Sequence, residues 1–491
     1  MWKIYLFGAG KKGKYWLRCL KSFGVLPEGF IDNNQALQGS TCDGVMIYAP
    51  ERLKKQVFDY VAVTCNDEGS IYQQLLEFGI AEDKIIFGNH RLRNYLFYFI
   101  AKNYIPKDCI ISNRKINSNQ KVFFDLQNGM VLGGVEAWSY ELANQLKERG
   151  LEGGYLTIDS KLAVTTNKTY PAYILRYHEC VEEREKLELC IRVIAKNLPC
   201  TVICSFPQYI FWSVCIAKKM YPGKVRIIAV QHNDDQTYYE AYSLWQEYID
   251  KCMVISAYME NKQLVYGMQR DKMMYMGWQI PCARNLKRMW SKEKYPVQIG
   301  YAGRVTVTQK RTDLLLEVAL KLREKRIQFC LNIVGTGDYA DTMRKRVQEE
   351  ALCDYVNIIG YIDREKIPEF WEKQDIMISC SEWEGHSISQ SEAMSAGAVP
   401  VITDVSGARD DVIDGDNGFI VPVGDMDTLA DRIYFLYHNR NELESMGKRA
   451  HEIIYKRQKT VNQISFWDML LREEGSMGKD RELEESICTI K

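Results

Sequence analysis

Long apolar runs are missing from this chain. Nowhere in its 491 residues does a stretch reach the ~18 consecutive apolar residues that a membrane-spanning helix requires. The opening MWKIYLFGAG lacks the segments of a secretory signal and runs directly into a strand-like stretch. Net charge is missing too. The 64 Lys and Arg balance 64 Asp and Glu, so no polyanion-binding surface is expected overall, and nucleic acid is not an expected partner. The 15 cysteines lack metal-ligand spacing, and Cys200 and Cys204 are the closest pair. An odd, scattered set predicts free thiols in a reducing compartment, not a disulfide framework or a metal site. Together these absences predict a cytoplasmic protein.

The chain does have length, and repeated use of one local pattern. At ~150 residues per domain, 491 residues predict about three domains. The first begins with an apolar strand at residues 2–7, then Gly8-Ala9-Gly10-Lys11-Lys12-Gly13 and a helical run from Tyr15 to Phe23. A second strand ends at Asp32, about 20 positions on. This is the G-x-G-x-x-G pattern between strand and helix, in which glycines let a phosphate approach and an acid holds a ribose diol. Gly8, Gly10, Gly13 and Asp32 are therefore a candidate nucleotide site, with an empty Rossmann-shaped docking domain as the other reading. This unit is expected to span 1–112, with a linker at 113–120. Within it, Arg91 to Tyr104 interleaves aromatics with basic residues. Such a segment either packs between domains or lies on anionic lipid, so peripheral contact with the inner face of a membrane is a second expectation.

A new strand at Lys121–Phe124 leads to Gly133-Gly134-Val135-Glu136 and a helix from Ala137 to Arg149. Paired glycines at a helix start let backbone lie against a phosphate or sugar. Further strands are expected at 201–204, 226–230 and 252–255, the second ending in Gln231-His232-Asn233. A histidine just past a buried strand faces the ligand edge of a parallel sheet. This domain is expected to span 121–290.

The strand Gln298-Ile299-Gly300-Tyr301-Ala302 opens a domain expected at 291–455. It runs into Gly303-Arg304, a loop, then Lys310-Arg311 and a helix. Two permanent cations at a strand's carboxyl end can neutralise a departing diphosphate. Strands ending at Gly335-Thr336-Gly337 and at Gly360 follow. Then comes IMISCSEWEGHSISQSEAMSAGAVPVITD, residues 376–404. Glu384 lies in the loop before a helix and Glu392 lies inside it. A carboxylate only accepts hydrogen bonds and suits a hydroxyl pair, while the helix start between the two suits a phosphate. Two surface glutamates on a solvated helix would give the same spacing. Residues 417–421 read as a hairpin, Met426 to Tyr437 as a helix, 456–474 as a helix returning toward the second domain, and 475–491 as a disordered charged tail.

The ordered set GGVE, QH, GR…K, GTG, EGHSISQSE and AMSAGAVPV resembles glycosyltransferase family 4, over residues 120–472. The N-terminal unit resembles the small Rossmann-like domain of bacterial sugar acetyltransferases. The first resemblance implies an α/β fold of GT-B type, two facing Rossmann-like domains, here with an extra Rossmann-like domain in front. It implies a retaining, metal-independent hexosyl-type transferase without a cofactor. A UDP- or GDP-linked sugar would be the donor, and a glycan or lipid-linked acceptor in cell-surface polysaccharide synthesis would receive it.

By residue, the resemblance implies that Glu384 holds the donor sugar, Glu392 the ribose, and Arg304 and Lys310 the diphosphate. His232 would lie beside the anomeric carbon. Gly134, Gly303, Gly335, Gly360, Gly385, His386, Ser387 and Ile388 would offer donor-binding backbone. No Asp-x-Asp motif is read at a strand end. Two departures stand out: the Arg304–Lys310 loop carries one residue more than the family's, and His386 replaces a common Phe. The alternative is a non-catalytic GT-B-like protein that binds nucleotide-sugars or a partner.

Overall fold

The computed structural model describes residues 2–103, 121–126, 134–158, 170–180, 182–277, 280, 282–286, 288–460, 467 and 470–471. The expected linker at 113–120, Gly133 and the tail at 475–491 lie outside them. Two compact units emerge. The first is Met1–Val230 with Asp235–Cys252 and Tyr266–Met273; the second is Gln231–Asp234 with Met253–Val265 and Met274–Lys491.

The first unit holds two sheets. Six strands form one of them, in the order Thr41–Cys42, Val45–Tyr48, Gly29–Ile31, Ile4–Phe7, Tyr60–Val63, Ile85–Ile86. All pairings are parallel except the first, which is antiparallel. The central strand is buried along its length, as a parallel sheet covered on both faces requires. Gly8 turns the chain with φ +108°, and a Cβ on Gly13 would sit 2.0 Å from the Gly8 carbonyl oxygen. Only glycine lets the helix Lys11–Ser22 start this close to the strand.

The second sheet has seven strands, in the order Met273–Tyr275, Lys251–Val254, Val225–Gln231, Cys200–Cys204, Lys121–Leu126, Gly153–Ile158, Ala172–Leu175. The last two are absent from the sequence reading. Gly153-Gly154 weakens strand propensity, yet the sheet demands it. A Cβ at Gly153 would lie 2.0 Å from the Val122 oxygen, and one at Gly154 2.5 Å from the Tyr173 ring.

The aromatic helix Asn89–Asn103 joins the two sheets' layers and does not lie on lipid. Leu92, Asn94, Leu96 and the run from Phe97 to Ala101 are all buried. Buried Asn94 accepts hydrogen bonds from the indole N–H groups of Trp212 and Trp245, at 3.0 and 2.8 Å. The Tyr15 hydroxyl, from the first helix, donates to Glu183. The lipid-facing reading of this segment is therefore overturned, because its apolar surface is already spent on packing. Among the described residues, no helix is long and apolar enough to cross a membrane.

The second unit carries a six-stranded sheet, all parallel, in the order Val356–Gly360, Phe329–Val334, Val297–Ala302, Ile376–Ser379, Val399–Thr403, Phe419–Val421. The hairpin expected at 417–421 is a single strand paired parallel to Val399–Thr403. Burying Phe419 and Val421 at the sheet's edge decides this. The helix Arg440–Thr460 was not expected, and it runs without a break across the boundary placed at 455/456. Beyond Thr460, of the helix read over 456–474, Trp467, Leu470 and Leu471 are described and buried. The charged stretch just before Val297 is built into this unit: the Arg288 side chain, almost wholly buried, donates to the Ala396 and Gln374 carbonyls and pairs with Asp375.

Candidate functional site

The site grows from the carboxyl edge of the six-stranded sheet. Strand Ile376–Ser379 is buried throughout. The chain then passes through a loop into the helix Ile388–Ser395, whose cap is Ser387: its hydroxyl oxygen accepts the Gln390 N–H at 3.3 Å. No side chain fits at two points of this turn. A Cβ on Gly385 would lie 2.1 Å from the His232 carbonyl oxygen, and one on Gly407 2.5 Å from the Gly385 oxygen. Three stretches of backbone meet here, beside the N-terminus of the helix Ile388–Ser395.

Glu384 is held from two sides. The Lys310 ammonium and the Ser381 hydroxyl both donate to its Oε1, the latter at 2.7 Å. Ser381 is fixed in turn by Thr403, whose hydroxyl donates to the Ser381 carbonyl at 2.7 Å. The carboxylate and ammonium are mostly shielded, with side-chain exposures of 9% and 18%. Arg304 is exposed and donates to Gln309 Oε1 at 2.5 Å. Gln309 straps the cation loop onto the glutamate loop, accepting the Glu382 N–H at 2.8 Å and donating to the Trp383 carbonyl at 3.1 Å. Just after this loop Arg311 adopts φ +45°, in the left-handed region. A non-glycine residue there costs about 1 kcal/mol. Two ion pairs hold Arg311 in place, to Glu382 and Asp313.

Glycines bring backbone together at the neighbouring strand ends. Gly335 has φ +137°, and a Cβ on it would lie 1.8 Å from the Gly303 oxygen. Its N–H donates to the Gly360 carbonyl at 2.8 Å, and Gly360 itself has φ +84°. Glu392 is partly buried in the helix. Desolvation pushes its carboxyl up to about 7, against the pull of Arg364. His232 follows the strand Val225–Gln231 and is buried, which lowers its imidazole to about 3 and keeps it neutral at physiological pH.

His386 turns inward. Its side chain is fully buried, with Nε2 3.0 Å from Asp411 Oδ2 and 3.1 Å from Ser391 Oγ, and Nδ1 3.8 Å from Asp410 Oδ2. The imidazole is committed to these groups. Burial lowers its pKa, and Asp410 opposes that shift. Arg457, from the helix Arg440–Thr460, grips both Asp411 oxygens, one of them at 3.0 Å. Asp410 accepts from the Ala257 N–H and the Tyr275 hydroxyl, both at 3.1 Å. Sequence reasoning missed Ser381, Gln309, Asp410, Asp411 and Arg457. Only the doublet Asp410-Asp411 after a glycine turn gave a signal.

The N-terminal candidates also gather at a sheet edge, in the first unit. Gly13 serves helix packing, while a Cβ on Gly10 would meet nothing within 4 Å. Asp32 already holds one backbone donor on each carboxylate oxygen: it accepts the Ala9 N–H at 2.8 Å and the Asn34 N–H at 2.9 Å. Gly134 opens the helix Gly134–Glu148 and is exposed. Among the described residues, no three His, Cys, Asp or Glu side chains are grouped to hold a metal ion.

Comparison with known proteins agrees with this geometry. Residues 284–453 match the family model described as glycosyl transferases group 1, and residues 1–86 match the C2185-like N-terminal domain. The chain is 28% identical over 170 residues to poly(ribitol-phosphate) alpha-N-acetylglucosaminyltransferase of Staphylococcus aureus, covering 34% of this chain and 34% of that protein. It is 24% identical over 380 residues to N-acetyl-alpha-D-glucosaminyl L-malate synthase of Bacillus anthracis, covering 69% of this chain and 93% of that protein. The chain therefore spans about a third of the first relative's length and most of the second's. A crystal structure of S. aureus TarM in complex with Fondaparinux, alpha-GlcNAc-glycerol and UDP superposes with a TM-score of 0.59 at 15% identity, over 72% of this chain and 100% of that one. The fold is thus GT-B, with a Rossmann-like sheet added in front, and residues 284–453 carry the match to the glycosyl transferases group 1 model.

Proposed function

We propose that this chain transfers a sugar from a nucleoside-diphosphate donor to a hydroxyl of a glycan or lipid-linked acceptor, with retention of configuration. The observation that carries the reading is the triad Lys310–Glu384–Ser381 beside exposed Arg304, at a sheet edge that also holds close-packed glycine backbone and the start of the helix Ile388–Ser395. In the unliganded protein Lys310 neutralises Glu384. A diphosphate brings two negative charges within reach of Lys310 and Arg304, and draws the ammonium toward itself. Glu384 is then freed to accept hydrogen bonds from donor-sugar hydroxyls while Ser381 still orients it. Glu392 accepts the ribose hydroxyls.

As the bond to the anomeric carbon breaks, charge builds on the leaving diphosphate. Arg304, Lys310 and the N-terminus of Ile388–Ser395 meet it with fixed positive potential, which makes a metal ion unnecessary. Neutral His232 serves as a hydrogen-bond partner near the reacting carbon and not as a cation. The acceptor hydroxyl attacks from the face the diphosphate leaves, and its proton passes to the departing diphosphate oxygen. Relatives whose names include transfer of N-acetylglucosamine, and a fold neighbour holding UDP, support a UDP-sugar as the first donor to try.

The test has two stages. A thermal-shift panel of UDP, GDP and their sugars on the full chain identifies the carrier, and donor turnover is then measured. Arg304→Ala and Lys310→Ala should each lower turnover by ~10²–10³-fold, the scale of lost transition-state charge stabilisation. Near-wild-type turnover in both variants would sink the assignment.

A further inference from the structure

A cavity of about 490 Å³ opens beside the glutamate loop, bordered by Glu382 and Trp383 on one side and by Tyr258 and Asn261 on another. Its two aromatic residues are conspicuously uncovered. Trp383 is 40% exposed and Tyr258 51% exposed, although burying rings of this size is worth several kcal/mol. Neither ring fills the protein's own core. Both belong to a concave wall that also carries an exposed amide, Asn261.

The charges around this cavity are already spent. Asp234 is paired with Lys262 at 2.8 Å and accepts from the Ser406 hydroxyl. Asp404 is gripped by Arg409 through two bonds, at 3.0 and 2.7 Å. Glu382 pairs with Arg311 at 3.1 Å. Asp410 takes the Ala257 N–H and the Tyr275 hydroxyl. Arg409 is the one cation among the lining residues, and Asp404 holds it. An anion entering here would meet four carboxylates with no uncommitted counter-charge. A cation would have to break existing pairs. A sugar ring needs neither: its C–H face stacks on aromatic rings, and its hydroxyls donate to the remaining lone pairs of paired carboxylates and to the Asn261 carbonyl.

We propose that this cavity is the acceptor subsite and that it takes an uncharged hexopyranosyl residue, the end of a neutral glycan. This deepens the transferase reading and rests on it for the word acceptor. Trp383 is the residue before Glu384, so the cavity wall and the glutamate assigned to the donor sugar belong to one loop. It also separates this chain from the S. aureus relative, whose name gives an anionic polymer, poly(ribitol-phosphate), as acceptor.

Two arms on the full chain test this. The first is saturation-transfer NMR with methyl α-D-glucopyranoside, methyl N-acetyl-α-D-glucosaminide and glycerol 1-phosphate as probes. A neutral glycoside should bind and glycerol phosphate should not; Trp383→Ala should abolish binding and Trp383→Phe should retain it. The second arm measures transfer with the donor found in the thermal-shift panel. Trp383→Ala should raise the acceptor KM at least tenfold more than the donor KM, with Trp383→Phe recovering most of the difference. Glycerol phosphate binding as well as the glycosides would overturn the proposal, and so would equal effects on both KM values, which would give the cavity to the donor. Absent donor turnover would count against the transferase reading alone, since the NMR arm then still decides what the cavity binds.

Discussion

At the edge of the first sheet, Asp32 accepts the backbone N–H groups of Ala9 and Asn34; at the edge of the third, Glu384 accepts from the Lys310 ammonium and the Ser381 hydroxyl. Both acids follow a strand, and both stand beside glycine turns and a helix start. Their partners differ in kind. A backbone N–H cannot leave without rebuilding its loop, whereas a lysine side chain can swing to a new anion within nanoseconds. Asp32 thereby braces the glycine loop, while in the proposed reaction Glu384 is freed when a diphosphate draws Lys310 away. An identical local motif can thus be closed in one place and ready in another, and what decides is whether the acid's partner is main chain or side chain.

The widest separation between the two edges should come from removing each partner. Beyond the ~10²–10³-fold loss expected for Lys310→Ala, Asp32→Ala should register as structure: it orphans two loop donors, worth about 1–3 kcal/mol of local stability. Hydrogen exchange at the Ala9 and Asn34 amides reads this directly. A turnover loss for Asp32→Ala as large as that for Lys310→Ala would break the comparison, because the N-terminal edge would then share the chemistry.

A second contrast is the burial of the supporting ion pair. The first edge carries Lys12 and Glu68, paired at 2.6 Å and each about a quarter exposed. The third depends on Arg457, 46 positions beyond Asp411, to hold the carboxylate against which His386 is set. Arg457→Ala leaves a fully buried carboxylate without its cation and should cost about 3 kcal/mol or more. Arg457→Lys should restore part of it, though without the two-pronged grip. Chemical denaturation measures both. A loss under 1 kcal/mol for Arg457→Ala would show that the loop is held without it.

What was legible follows from this difference. Strand, glycine and helix-start positions announce themselves through local period and turn residues, so Gly8, Gly13, Gly303, Gly335, Gly385 and both glutamates were found in the sequence. The strand Gly153–Ile158 was lost because its glycines serve cross-strand packing against Val122 and Tyr173, which no local window displays. The helix Arg440–Thr460 was lost because its buried positions, Leu443, Met446, Ala450 and Ile454, are spaced among many charges. Arg457 and Gln309 were invisible for a simpler reason: their partners Asp411, Glu382 and Trp383 lie far along the chain. His386 was legible as unusual, but its direction was not, since only the fold brings Asp410 and Asp411 around its ring.

Glycine substitution sharpens the comparison at smaller scale. A methyl group at Gly13 would meet the Gly8 oxygen at 2.0 Å, and one at Gly385 the His232 oxygen at 2.1 Å. The steric insults are equal, so Gly13→Ala and Gly385→Ala should each destabilise by about 1–3 kcal/mol. Their effects on turnover should part, with Gly385→Ala much the worse, since it displaces the Glu384 loop. Gly10→Ala, which meets nothing, is the steric control and should melt close to the unmodified chain. Equal turnover losses for Gly13→Ala and Gly385→Ala would mean that global unfolding, not loop displacement, explains both.

The smallest effect expected is in pH dependence, and it belongs to the third edge. Burial raises Glu392 from 4.5 to about 7, so the folded protein favours its protonated form; that contribution to stability is complete below about 4.5 and is lost as the pH rises to about 7. Burial lowers His232 from 6.5 to about 3, so the fold favours the neutral ring; its contribution is complete above about 6.5 and is lost as the pH falls toward about 3. The two slopes oppose each other between about 4.5 and 6.5. Melting curves should therefore show Glu392→Gln gaining on the unmodified chain as the pH climbs from 5 to about 8, and His232→Asn gaining as it drops from about 7 to 4. A ligand adds a sign of its own. Ribose hydroxyls donate to an ionised carboxylate, so stabilisation of the unmodified chain by UDP should strengthen as the pH passes through about 7, and Glu392→Gln should remove that dependence. If UDP stabilises both proteins with the same pH profile, Glu392 does not hold the ribose, and the second carboxylate of the motif is a buried acid like any other.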